Sequence, residues 1–205
     1  MNYQTLATPE TITKLKPALA ERNIELHSVA TKAAALEAIK ALIPAGASVM
    51  NGSSTTLNEI GYTDYLKSGE HGWVDLHARV GAEQDAAKRA LLRKQTATAD
   101  FFLCSVHAVT EDGQLVIASG TGSQLPSITF SSPNVIFVVG AQKVVPTLDE
   151  AMKRLEEYVY PLEDARMKAA YGKGSTMGKV LIFKKENPVI GRKIHLILVS
   201  ESLGF

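Results

Sequence analysis

The sequence predicts an α/β fold with a mostly parallel sheet flanked by helices, and three observations predict it. Two unbroken apolar runs, FFLCSV (101–106) and NVIFVVGA (134–141), have the character of strands buried on both faces. Segments with helical spacing alternate with β-rich segments along the chain. No internal repeat, low-complexity stretch or long linker interrupts the 205 residues, a length suited to one well-cored domain.

The elements follow in order. Thr8-Pro9-Glu10 starts a helix: a capping hydroxyl, a proline in the first turn, then an acid near the positive end of the dipole. Pro17 is expected to kink or divide it. Ile24 to Ala30 reads as a strand. From Thr31, Leu36, Ile39 and Ile43 recur at helical spacing until Pro44-Ala45-Gly46 stops the helix. A short strand, ASVM, then runs into NGSSTT. One long helix is expected from about Ala82 to Thr98, delivering the chain into FFLCSV. Asp112-Gly113 between HAVTE and QLVIAS signals a tight turn. After NVIFVVGA, Leu148, Met152, Leu155 and Val159 mark a helix. The end carries two β-rich runs, KVLIF and IHLILV.

The bulk properties exclude several classes. With a net charge of +1 and only short basic runs, there is no electrostatic reason to expect nucleic acid or an anionic membrane as partner. No apolar run approaches the roughly 20 residues of a membrane helix, and the N-terminus lacks an apolar core of signal-peptide length. A cytoplasmic protein is expected. The single cysteine, Cys104, rules out a disulfide or a cysteine zinc site within one chain and reads as a small buried hydrophobe. His27, His71, His77 and His195 have no carboxylate or cysteine partners at metal-ligand spacing, so no metal site is expected.

In open parallel sheets, ligands bind beyond the carboxyl ends of the strands. Two loops are expected there. In Asn51-Gly52-Ser53-Ser54-Thr55-Thr56, free N–H groups at a helix start beside small hydroxyls suit an anion, and simple capping by Ser54 or Thr55 suits the same residues. The loop lacks a P-loop lysine and any G-x-G-x-x-G, so no nucleotide or flavin cofactor is assigned. The second loop is Ser119-Gly120-Thr121-Gly122-Ser123-Gln124. His107 there is a candidate base and Glu111 a candidate acid or nucleophile, each also readable as an ordinary strand-end or turn residue. Lys143, past the second buried strand, could hold a carboxylate or phosphate or merely cover the sheet edge.

Four ordered stretches, GASVMNGSSTTLNEIG, TADFFLCSVHAVTEDGQLVIASGTGSQ, VIFVVGAQKVVPTLDEAMKRL and IHLILVSESLGF, together resemble the LUD domain, the lactate-utilisation family, from about Ala33 to Phe205. The resemblance implies the fold shared by ribose-phosphate isomerase, glucosamine-phosphate deaminase and CoA transferases. It also implies an anion-binding role for NGSSTT and a ligand role for the 107–124 region. Many similar proteins have Asn, Asn, Asp and Arg where this chain has His107, Ile117, Ser119 and Gln124, which removes an acid and an anion clamp. Some members carry several cysteines before the last strand; this chain has none there, so a cluster bound by this subunit is not expected.

Three functions remain open on this reading. The chain is a small-acid-binding subunit acting with iron–sulfur partner proteins in lactate oxidation; or a stand-alone isomerase- or acyl-transfer-like enzyme on a phosphorylated or CoA substrate, using His107 or Glu111; or a non-catalytic binding module. An apolar surface near LVSESLGF would serve a partner or a homodimer, or else complete the core.

Overall fold

The computed structural model describes residues 2–205, and its chain alternates helices and strands. Helix α1 (Pro9–Glu21) starts at Thr8, whose side chain accepts from Thr11 N–H. Pro17 lies inside this helix without dividing it. Strand β1 (Ile24–Val29) leads to α2 (Lys32–Leu42), capped by the Thr31 side chain. Next come β2 (Ser48–Asn51), α3 (Thr55–Glu59), α4 (Tyr62–Ser68) and β3 (Val74–Asp75).

The single helix expected from about Ala82 to Thr98 is instead α5 (Leu76–Ala82), α6 (Ala86–Gln95) and a 3-10 turn at Thr96–Thr98. The break has a local cause: Asp85 accepts from Lys88 N–H and starts a new helix in the middle of the run.

The chain continues through β4 (Phe101–Cys104), β5 (Ala108–Thr110), β6 (Leu115–Ser119), β7 (Asn134–Gly140) and β8 (Val144–Val145). A continuous helical stretch follows: α7 (Leu148–Lys153), a π-helical turn at Arg154–Val159, and α8 (Tyr160–Tyr171). The wide turn immediately precedes Pro161, whose missing N–H breaks the α ladder. Strands β9 (Lys179–Phe183) and β10 (Lys193–Val199) complete the chain.

Six strands form one all-parallel sheet in the order β1-β10-β7-β4-β2-β3. The other four form a second sheet, β8-β5-β6-β9, with β6 antiparallel to both neighbours. The predicted Asp112-Gly113 turn joins β5 to β6, with Gly113 at φ +88° and its N–H on Thr110 C=O. That hairpin belongs to the small sheet and lies outside the parallel one.

Side-chain alternation sorts the layers. On one face of the parallel sheet, Phe102, Val135, Phe137, Leu196 and Leu198 pack against Leu15 and Leu19 of α1 and against Val109, Leu115 and Ile117 of the small sheet. On the other face, Leu103, Ile136, Val138 and Ile197 pack against Ala35 and Ile39 of α2 and against Leu57, Tyr62 and Trp73. The outer face of the small sheet, through Ala108, Val116 and Val145, receives Ala151, Leu155 and Val159.

The C-terminal stretch completes the core. Leu203 is buried among the residues around Ile197 and Val199, and Phe205 packs beside the small sheet's outer cluster. Gly140 makes this possible, because a Cβ there would lie 2.7 Å from Leu203 N and 2.9 Å from Glu201 O. Among the described residues, no helix is long and apolar enough to cross a membrane.

Candidate functional site

The carboxyl ends of β2, β4 and β7 converge on one side chain, Lys143. It sits in the 3-10 turn Ala141–Lys143 directly after β7 and is 2% exposed. Its Nζ donates to Thr56 Oγ1 of α3 at 3.0 Å and to Ser105 Oγ, just past β4, at 3.1 Å. Among the described residues it makes no ion pair. Burial, reinforced by the positive charge of Arg154, pushes its ammonium down to about 7, and Glu59 opposes this weakly. The Glu59 carboxylate accepts from Gly204 N–H at 2.7 Å, holding the C-terminal stretch over the site. Gly204 stands at φ +59°, and a Cβ there would lie 3.2 Å from the Lys143 Nζ.

Arg154 is the second buried cation, and sequence reasoning missed it. It opens the π-helical turn and is 0% exposed. One Nη donates to the His107 C=O, while Nε and the other Nη have no hydrogen-bond partner among the described residues. The guanidinium lies over the rings of Tyr158 and Tyr3, at 5.3 and 5.8 Å from their centroids, which offsets part of its desolvation. Burial pushes its pKa down to about 10. The signal was present in the sequence: Arg154 follows Ala151 by three positions and precedes Leu155, on the apolar face of the helix.

His107 lies within the influence of both cations. Its Nδ1 accepts from Ala118 N–H at 3.0 Å, which leaves the proton of the neutral ring on Nε2. Burial, then Lys143 and Arg154, holds its pKa at about 3. The ring is therefore a neutral donor at physiological pH, and the expected general base at His107 does not fit this environment. Glu111 is not part of the cluster. It follows the far end of the three-residue β5, roughly 13 Å along the strand from His107. There it borders a cavity of about 250 Å³ lined by Tyr3, Leu6, Gln142 and Pro146. The two candidate catalytic residues do not share a site.

The two glycine loops do meet. The Gln124 side chain donates from Nε2 to Ala118 C=O, and its Oε1 lies 2.6 Å from where a Cβ on Gly52 would stand. Gly52 N–H donates to Leu103 C=O and Asn51 Nδ2 to Gly52 C=O, so part of the first loop is committed to its own backbone. Ser54 caps α3 by accepting from Leu57 N–H, as one of the two expected readings held; Thr55 opens that helix and Ser53 is exposed. At five residues, α3 adds little dipole of its own. In the second loop, Gly122 N–H donates to Ser119 Oγ and Thr121 Oγ1 to Ser123 Oγ. Gly120 faces Thr176 C=O, and Gly122, at φ +82°, lies under the Lys179 side chain.

Cys104, as expected, is buried and free, and burial pushes its thiol up. The spacing argument about histidines fails at one point. Glu25 and His27 alternate onto one face of β1, and the register pairs Glu25 with His195 of β10, so all three side chains converge.

With this geometry in view, the comparisons have a direct meaning. The LUD-domain family model matches residues 12–182, and the chain belongs to that family. The match starts earlier than the expected Ala33 and ends within β9. The lactate-utilisation connection comes with the family. Among solved structures, a DUF162 family protein from Deinococcus radiodurans is similar over 95% of this chain and 98% of its own, with a TM-score of 0.53 and 12% identity. At that identity the likeness establishes the fold. No curated protein matches the sequence significantly.

Proposed function

We propose that this LUD-domain protein binds a small organic acid, of the lactate or pyruvate type, at the buried cluster of Lys143, Arg154 and His107 beside the two glycine loops. One observation carries the reading: two cations are fully buried, the charge of Arg154 adds to burial in pushing the Lys143 ammonium down, and among the described residues neither makes an ion pair with a carboxylate. An uncompensated buried charge costs several kcal/mol, so such a pair favours a site whose ligand brings the negative charge. Thr56 and Ser105 would orient one carboxylate oxygen through Lys143. The two unbonded Arg154 nitrogens would take another in the bidentate geometry that suits a carboxylate. The neutral Nε2–H of His107 would donate to a hydroxyl or keto oxygen. With one buried cysteine the chain lacks the ligands for an iron–sulfur cluster, and iron–sulfur partner proteins would carry the electron chemistry.

The test is a melting-temperature screen with lactate, pyruvate, sugar phosphates, CoA esters and inorganic phosphate. A native-state ligand at 100 times its dissociation constant adds about 2.7 kcal/mol. A response confined to small carboxylates supports the reading, whereas a response confined to phosphorylated compounds or CoA esters replaces it with the isomerase- or transferase-like one. The site also has a pH signature. Lys143 binds the anion in its charged form, so affinity is expected to fall as pH rises above about 7, by up to tenfold per unit. Calorimetric dissociation constants across that range, flat with pH, would place the anion elsewhere.

A further inference from the structure

We propose that Glu25, His27 and His195 form a binding site for a divalent transition-metal ion of the zinc class, separate from the proposed anion site. The three residues come from the edge strand β1 and its parallel neighbour β10 and lie on one face of the sheet. His27 Nε2 stands 3.1 Å from His195 Nδ1 and 3.6 Å from Glu25 Oε1, and His195 Nδ1 stands 3.3 Å from Glu25 Oε2. Ligands about 2.0–2.1 Å from a tetrahedral zinc are about 3.3 Å from one another, close to the separation of the two imidazoles and to the distance from each imidazole to its nearer Glu25 oxygen, and one ligand atom from each of the three residues lies within 4.8 Å of the others. A turn of the exposed Glu25 carboxylate would bring a single oxygen to both imidazoles.

The donor set selects the ion. Two imidazoles and one carboxylate suit zinc, cobalt or nickel, whereas magnesium and calcium favour all-oxygen shells. Access and rigidity are both provided for. The Glu25 side chain is 64% exposed and open to solvent, while His195 is 8% exposed and fixed in the sheet. The fourth position would face water. Strand polarity separates this site from Lys143: His195 sits near the amino end of β10, whereas Lys143 lies past the carboxyl end of β7, where Gly140 pairs with Val199. The ion would fasten the edge strand to the sheet interior, stabilising the fold without entering the anion site.

The experiment uses the full chain, stripped by chelator and titrated with Zn²⁺ and, as a spectroscopic probe, Co²⁺. One ion per chain, visible Co²⁺ bands of four- or five-coordinate geometry and a raised melting temperature are expected. Acid is expected to weaken binding, because ligation requires neutral imidazoles. His27→Gln, at a quarter-exposed side chain, is expected to fold normally and lose more than about 100-fold in affinity, beyond what losing a merely supporting group costs. Glu25→Gln is expected to weaken binding less. Absence of stoichiometric binding would overturn the proposal. So would wild-type affinity in folded His27→Gln.

Discussion

Replacing Lys143 with methionine is expected to abolish the stabilisation that small organic acids give the wild-type protein, a loss of more than about 100-fold in affinity. The unliganded variant is expected to melt higher than wild type at neutral pH and below. The lysine ammonium is pushed down to about 7 in the folded chain, against an ordinary value of 10.5. Below about 7 it is charged in both states, and the full cost of burying that charge is present. Between about 7 and 10.5 the unfolded chain binds more protons, so wild-type stability from this group rises with pH. Methionine has a similar length and no charge, and removes this dependence. Thr56 Oγ1 retains its contact with Leu203 C=O and Ser105 Oγ its contact with Val106 C=O, so neither hydroxyl is left without an acceptor. Melting curves of both proteins at several pH values, with and without lactate, read out both effects. A variant that melts lower and still responds to the acid would make Lys143 a structural prop.

Arg192→Met is expected to be the most destabilising of the polar substitutions, at about 3–5 kcal/mol. Arg192 is buried, pairs with Glu186 at 2.8 Å and donates to the carbonyls of Ser127, Ile128 and Ser132. It holds the π-helical turn Ser127–Ser131 against the entry to β10. Its removal leaves the buried Glu186 carboxylate without its cation, held only by Asn187 N–H, and takes a donor from three carbonyls. Urea unfolding measures the loss, and Arg192→Met with Glu186→Leu is expected to recover part of it. The exposed Lys67–Asp64 pair is the control, where no measurable change is expected. The cost falls far from Lys143, so Arg192→Met that remains folded is expected to bind organic acids normally.

The parallel sheet was legible because its two central strands are apolar without interruption, a pattern that burial on both faces imposes. The helix start at Thr8 was equally plain, since a capping hydroxyl acts locally, and helical spacing marked the helix that follows Thr31. The division between two sheets was not legible. Strands β5, β6 and β9 are short β-rich runs like those of the large sheet, and only long-range pairing assigns them. The break at Asp85 was missed because no glycine or proline stands at it; only the Asp85 side chain, capping Lys88 N–H, ends one helix and starts the next.

At the proposed site, the loops and Lys143 were visible from strand order. Their meeting through Gln124 and Gly52 needed the fold. His107 looked like a base because its pKa is normally near neutrality; the burial that chiefly depresses it, and the cations that add to this, come from distant parts of the chain. Arg154 was hidden among the charges of DEAMKRLEE, where only helical phase separates a buried arginine from its solvated neighbours. Glu25, His27 and His195 escaped notice because metal spacing was sought along the chain, and their third member lies on the neighbouring strand.

The most direct test of the central claim is an NMR titration of Lys143 in protein carrying isotope-labelled lysine, assigned by loss of one signal in Lys143→Met. The free protein is expected to show one lysine titrating near 7, well below the others, and saturating lactate or pyruvate is expected to raise that value. A Lys143 signal titrating with the surface lysines, or one that ignores every organic acid tested, would contradict the account.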